Sequence, residues 1–434
     1  MRGRTRWRRS LRSATRCVTR TDRPGARRIP RATLTPMRIA MVSMHTSPAD
    51  RPGSGDAGGM NVYVLETARA LAAHGHRVDL FTRAHGTRWT KRVAPGVTLF
   101  ALETGGGVVR KQDLPNLADD FGEELQRVAV DADEPYDVIH AHYWLSGLAA
   151  LPVSLALGVP LVQTFHTLAV QKAAGGQAEP ERRRLTERYL ALEADAVVAV
   201  SNAEADCVID ELHVDASRIW LVRPGVDADA FAPPGFGVRD DVRARLGVRD
   251  HEALVVVAGR IQSTKGQDLA VRMLEHLDDA VLAIAGEPPP GDEAFVDELV
   301  QTAASLGVED RVRRIGSLDR PELARLLGAA SLVLIPSRAE SFGIVALEAA
   351  ACGTPVVAAH VGGLPESVVH GTTGILVEGR DPERWAAACR RLIDDPVALS
   401  ELSTSARAEI ERRTWQASAA RLDQVYRALG ADPD

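Results

Sequence analysis

The sequence predicts an α/β protein of two Rossmann-like domains, each a parallel sheet covered by helices on both faces. Short apolar, β-rich runs alternate with helical stretches at 38–42, 78–82, 97–101, 138–140, 160–164 and 196–200. Strands of near-continuous apolar character belong in sheets buried on both faces. The series starts again at 254–258, 280–285, 312–315, 332–335, 356–359 and 374–377. A chain of 434 residues also exceeds what one core ordinarily organises. The expected boundaries are 37–222 for the first domain and 223–413 for the second, joined around 222–227, with an amphipathic helix at 415–429 in the closing stretch 414–434.

Composition narrows the function. With 45% hydrophobic and 25% charged residues the chain reads as soluble and globular. Residues 1–36 stand apart, with twelve arginines, one acid (Asp22) and almost no apolar periodicity. They read as a disordered extension ahead of Met37, and they lack the apolar core of a secretory signal. The remainder holds 40 Lys and Arg against 57 Asp and Glu, a net charge of −17, which argues against a nucleic-acid partner. Residues 143–165 carry no charge, but Gly147, Pro152, Gly158 and Pro160 divide them. A buried helix followed by a buried strand is therefore expected in place of a membrane span. Cys17, Cys207, Cys352 and Cys389 show no disulfide or metal spacing, which suits a reducing cytoplasm.

The segment 337–358 concentrates the chemistry. A charged, glycine-containing loop with Glu340 leads into the apolar helical run 342–352, which Gly353, Thr354 and Pro355 end before strand-like 356–359. Glu348 falls inside that run, where a buried carboxylate requires hydroxyl or cationic partners. The amides of Ser341, Phe342 and Gly343 would face outward at the positive end of the helix. Such a site suits a ligand carrying both hydroxyls and phosphate. For two isolated acids the blander reading is favoured, with Glu340 capping the helix and Glu348 meeting an arginine.

A glycine-rich stretch at 53–61 lies between the first strand and a helix running to about Gly75, where backbone amides can approach an anion; a plain flexible loop reads the same way. Arg260 follows the strand at 254–258 and Lys265 opens the next helix, so both reach the crevice where open α/β sheets bind ligands. Metal signals are weak. Asp131 with Asp133 and Asp227 with Asp229 read as surface or capping acids, and His140 with His142 lacks a third zinc ligand.

Pro336, Ser337, the run from Glu340 to Gly343, Glu348 with Ala349, and the turn from Gly353 to Val356 resemble the Glu-x7-Glu signature of retaining glycosyltransferase family 4. The resemblance implies the GT-B architecture, two Rossmann-like domains facing across a cleft with the last helix crossing back to the first domain. It implies a nucleotide-sugar donor held by Gly59, Arg260, Lys265, Leu318, Glu340, Ser341, Phe342, Gly343 and Glu348, with His166, Arg260, Lys265 and Glu340 as the catalytic set.

Further stretches are similar to a narrower group, the D-inositol-3-phosphate glycosyltransferases of mycothiol biosynthesis. They run from Met44 to Pro48, Gly55 to Val64, Arg92 to Gly96, Lys111 to Pro115, His142 to Gly147, His166 to Ala169 and Gly259 to Gln262. In that group the acceptor would meet His45, Asp56, Ala57, Gly58, Gly59, Met60, Asn61, Lys111, Tyr143, Thr167 and Arg183. Lys111 and Arg183 would compensate a phosphate. Arg183 stands among Arg182 and Arg184, where a solvated cation is the bland reading and the register can slip by one.

The implied reaction is metal-independent transfer of N-acetylglucosamine from a UDP-sugar to inositol phosphate, with no cofactor for the chemistry. Gly363 to Glu366 reads like the wider family and Gln163 to His166 like its sucrose-phosphate-synthase branch. Another nucleotide sugar or acceptor therefore stays the alternative. A phosphorylase would need a pyridoxal lysine, which no stretch resembles, and a non-catalytic binder need not keep His166, Arg260 and Lys265 together. A structural magnesium ion and a homodimer are compatible with such a chain, and neither is legible in it.

Deleting residues 2–36 is expected to leave activity and melting temperature intact, since the leader lacks the apolar content to join a core. Calorimetry and a transfer assay on the shortened chain check this, and a large fall in melting temperature would show the leader docked.

Overall fold

The computed structural model describes residues 35–105, 107 and 109–430, apart from the side chain of Lys111. All but the end of the arginine-rich leader lies outside them. The first sheet contains β1 (Arg38–Val42), β2 (Arg77–Ala84), β3 (Trp89–Ala94), β4 (Val97–Glu103), β5 (Val138–His142), β6 (Leu161–Thr164), β7 (Ala196–Ala199) and β8 (Ile219–Leu221). They lie in the order β3-β4-β2-β1-β5-β6-β7-β8, parallel except where β3 turns back on β4. The second sheet contains β9 (Ala253–Ala258), β10 (Ala280–Ala285), β11 (Val312–Gly316), β12 (Leu332–Ile335), β13 (Val356–Ala359) and β14 (Gly374–Val377). It is parallel throughout, in the order β11-β10-β9-β12-β13-β14. With β3 set aside, both sheets reverse their winding beside their first strand, at β1/β5 and β9/β12. That switch point is where such sheets take ligands.

All five residues of β1 are buried, Arg38 through its pairs with Asp79 and Asp133, as are all six of β10, which is the physical content of the apolar runs 39–42 and 280–285. Helix Trp144–Leu157 and β6 occupy the uncharged stretch 143–165. Among the described residues no helix is long and apolar enough to cross a membrane.

Three local expectations need correction. The edge strand β3 and the three-residue β8 were not expected; β3 is largely exposed and β8 only half-buried, so neither carries an apolar signature. The helix after Glu340 spans Ile344–Ala351 and begins later than Phe342, because Gly343 takes φ +88°. A Cβ at that position would lie 2.5 Å from Leu364 Cδ2, so glycine is required there. Lys265 ends the 3-10 turn Ser263–Lys265 and precedes helix Gln267–Met273.

The chain passes between the sheets along 222–227, where the Val226 N–H donates to Arg413 O at 2.9 Å. Helix Trp415–Gly430 then packs on helix Gly59–Ala73 of the first domain. Trp415 meets Tyr63 edge-on at 5.9 Å, Asp423 lies 3.1 Å from His76 Nε2, and the Tyr426 hydroxyl lies 2.7 Å from His140 Nδ1.

Candidate active site between the two sheets

The loops that follow β9 and β12 build one wall of a cleft, and the Gly53–Gly59 stretch after β1 builds the opposite wall. The two loops are tied together. The Arg338 N–H donates to Thr264 O at 2.8 Å, and Gly266, at φ +75°, lies so close to Pro336 O that a Cβ would come within 2.0 Å of it. This holds Lys265 against the Glu340 loop, with Lys265 Nζ 2.6 Å from Glu340 Oε2 and the Ser337 hydroxyl donating to the same oxygen at 3.2 Å. Glu340 therefore pairs with Lys265 and does not cap the helix. Glu348 does meet an arginine, Arg320 Nη1 at 2.5 Å, and both line the cleft. Burial pushes the Glu348 carboxyl above its ordinary value, and the Arg320 guanidinium opposes that shift. Arg260 reaches across the cleft to within 3.7 Å of Asp56 Oδ1. Leu318 lines the same cavity, whereas the Phe342 side chain is buried in the core.

The first domain answers with the turn after β6. His166 sits at φ +61°, a conformation a non-glycine residue adopts only when its surroundings impose it. The Ser341 hydroxyl donates to the His166 carbonyl, directly joining the two domains, and Thr167 Oγ1 lies 3.4 Å from Ser341 Oγ. The ring of His166 lies 3.0 Å, Nε2 to Nδ1, from that of His142, whose ring is tilted against that of His140 at 4.1 Å between centroids. Burial lowers His140 and His166 to about 3, so both rings are neutral in the physiological range. The expected structural role for His140 and His142 is thus a packed imidazole column beneath His166. Among the described residues no group of three or more His, Cys, Asp or Glu could hold a metal. Asp133 pairs with Arg38 and Arg77, and Asp227 caps the backbone of Asp229 and Ala230.

The residues expected at the acceptor divide into two kinds. His45, Tyr143, Thr167 and Arg183 form a cluster: the His45 and Tyr143 rings are 4.3 Å apart, the Arg183 guanidinium lies over Tyr143 at 5.0 Å, and Arg183 Nη2 donates to Thr167 O at 2.7 Å. Of the three consecutive arginines only Arg183 turns inward, 2% exposed, which overturns the solvated-cation reading. Asn61 instead shapes its own loop. Its amide donates to Thr46 Oγ1 and Ser47 O and accepts from the Gly58 N–H, and Ala57 is buried beside it. Asp56, Gly58 and Gly59 border the cleft side of that loop, whereas Met60 packs against the core. Lys111 opens the 3-10 turn Lys111–Leu117, and its side chain lies outside the described residues.

Residues 238–411 match the family description "Glycosyl transferases group 1" and residues 58–225 match "Glycosyl transferase 4-like domain". The chain is 42% identical over 400 residues to a D-inositol 3-phosphate glycosyltransferase of Xylanimonas cellulosilytica, covering 90% of this chain and 96% of that one. It is 44% identical over 379 residues to the protein of that name in Mycolicibacterium smegmatis, covering 85% and 86%. The chain belongs to the group 1 glycosyltransferases. Among solved glycosyltransferases, the sucrose-phosphate synthase of Thermosynechococcus elongatus superposes with a TM-score of 0.82 at 30% identity, over 91% of this chain and 99% of that one. Anabaena HepE, solved with UDP and glucose, shares the fold at a TM-score of 0.74 and 22% identity, over 91% and 100%.

Two features of this glycosyltransferase escaped the sequence. Arg320 is 28 positions from its partner Glu348, and no local pattern joins them. Glu204 lies wholly buried one helical turn after Ser201, accepting the Val200 N–H at 2.8 Å and facing the backbone N–H of His166. Ser201 followed three residues later by Glu204 is a helix-start signal that could have been read. Burial pushes the Glu204 carboxyl up to about 7. Because the folded value is raised, the protonated form stabilises the fold fully below about 4.5, and that contribution is lost as pH rises through 7. Glu204→Gln keeps the acceptor for Val200 and removes the titration. Urea unfolding at pH 5 to 8 is expected to show a parent that loses on the order of 3 kcal/mol more than the variant over that range. Parallel pH profiles for the two would refute the assignment.

Proposed function

We propose that the chain is a retaining transferase that moves N-acetylglucosamine from UDP-N-acetylglucosamine to 1D-myo-inositol 3-phosphate. The observation that carries this reading is the bond from Ser341 to the His166 carbonyl. It sets the Glu340 loop of one domain against a turn of the other whose next residue, Thr167, is held by Arg183. Groups suited to a nucleotide sugar and groups suited to a phosphorylated acceptor therefore meet at one turn, and the names of the close relatives fit that pairing.

In this reading Arg260, Lys265 and the backbone at Gly59 receive the diphosphate, Glu348 accepts from the ribose hydroxyls, and Leu318 flanks the base. Glu340 and His166 orient the sugar; His166 is neutral, so it does so by hydrogen bonding and adds no charge. The acceptor lies against His45, the 56–61 loop, Tyr143 and Thr167, with Arg183 and Lys111 at its phosphate. The acceptor oxygen bonds to the anomeric carbon as the carbon–oxygen bond to the diphosphate breaks on the same face, and the acceptor proton passes to the departing phosphate oxygen. Arg260 and Lys265 stabilise the charge that develops there, and the cleft between the domains excludes water.

Arg260→Ala and Lys265→Ala are expected to lower kcat on the order of 10²-fold or more with a smaller effect on donor affinity, the scale for removing one electrostatic stabiliser. Near-normal turnover in both variants would remove the assignment.

The acceptor has its own test. Lys111→Ala or Arg183→Ala should weaken use of inositol phosphate by about 1.5–3 kcal/mol, typical of a charged hydrogen bond. Unphosphorylated inositol should be a poor acceptor for the parent and be penalised much less by either change. Transfer to both acceptors by the three proteins decides it, and equal use of the two by the parent would sink inositol phosphate while leaving a glycosyltransferase.

A further inference from the structure

All three guanidinium nitrogens of Arg183 are already engaged. Nε donates to Glu187 Oε1 at 2.6 Å, Nη2 to Thr167 O at 2.7 Å, and Nη1 lies 3.1 Å from Glu179 Oε2. Three of its five N–H donors are thus spent, and a phosphate that approaches through any of the three contacts meets a partner already there. Thr167 O belongs to the main chain of the turn that carries His166. Glu187 is 1% exposed and its other oxygen accepts the Ala169 N–H at 2.8 Å, so leaving would strand a backbone donor and a buried charge. Glu179 differs on both counts. It sits outside any helix or strand, just before Pro180. A second cation also stands ready for it, Lys172 Nζ, 2.7 Å from Glu179 Oε1.

We propose that Glu179 is the specificity-determining stand-in for the acceptor's phosphate: its carboxylate occupies Arg183 Nη1 while the site is empty and yields that nitrogen to a phosphate oxygen, staying paired with Lys172. The inference rests on Arg183 as the acceptor's phosphate partner. The arrangement has a physical rationale. Glu187 matches the charge of this buried guanidinium, and Glu179 gives Nη1 an acceptor that burial would otherwise leave unmet. With Glu179 in place, a ligand that takes Nη1 must out-compete a carboxylate, which a dianionic phosphate does and a neutral hydroxyl does not.

The test compares the parent, Glu179→Gln and the double variant Glu179→Gln with Arg183→Ala. Glu179→Gln is expected to lower KM for the phosphorylated acceptor on the order of tenfold, the worth of one charged hydrogen bond regained. It should tighten inorganic phosphate, followed by inhibition and by thermal shift, by a similar factor and leave KM for unphosphorylated inositol where it was. The double variant should lose the gain. Lys172→Met, which removes the fallback cation, should move both phosphate-bearing ligands the other way. Parental KM values in Glu179→Gln, or equal weakening of both acceptors, would overturn the proposal. If the parent does not discriminate the acceptors, the inositol-phosphate reading fails first. The phosphate thermal shift then still decides the exchange at Arg183: tightening in Glu179→Gln keeps it, and no change removes it.

Discussion

The cleft depends on one constraint: a charge removed from water must be matched within hydrogen-bonding reach or its desolvation is not recovered. Lys265 with Glu340, Arg320 with Glu348, Arg260 with Asp56, and Arg183 with Glu179 and Glu187 satisfy it. Each pair joins segments distant in sequence or opposite walls of the cleft, apart from the two within reach of Arg183. The ion pairs therefore do two jobs. They fix loops and helix ends against one another, and they hold in place the charges that a nucleotide sugar and a phosphorylated acceptor would engage. A ligand that binds there exchanges partners and does not meet bare ions.

The two sheets supply the rigidity that makes such exchange specific. Their switch points at β1/β5 and β9/β12 place the loops after β1 and β6 opposite those after β9 and β12. The turn at His166 is held in a left-handed conformation from every side: Ser341 at its carbonyl, His142 at its ring, Glu204 facing its amide, and Tyr63 edge-on at 5.1 Å. Tyr63 is itself packed against Trp415 of the closing helix. That helix thus supports the site through the first domain's core, although it contributes no residue to the cleft wall.

What was legible in the sequence follows the same physics. Strands buried on both faces announce themselves as unbroken apolar runs, so β1, β10 and β12 to β14 were placed to the residue. The edge strand β3, with Arg88 before it and Lys91 and Arg92 within it, is indistinguishable from a loop, because an exposed edge needs no apolar face. The positions of Glu340, Arg260 and Lys265 in loops after strand ends, and of Glu348 in the helix that follows, could be read from the alternation alone. Their pairing could not, since it depends on which strand ends lie side by side: Lys265 and Glu340 are neighbours only because β9 and β12 are.

Arg183 marks the boundary between the two kinds of knowledge. Three consecutive arginines cannot be distinguished by composition, yet a helix turns by about 100° per residue, so at most one of them shares a face with Glu187, Leu190 and Ala191. Glu187 and Leu190 lie four and seven positions beyond Arg183, one helical stripe, and that stripe is the buried one. The register of the inward arginine was therefore present in the spacing. Its burden was not: that all three of its nitrogens are occupied, one by a carboxylate with another cation in reach, appears only once the Thr167 turn and the segment before Pro180 are folded against the same helix face.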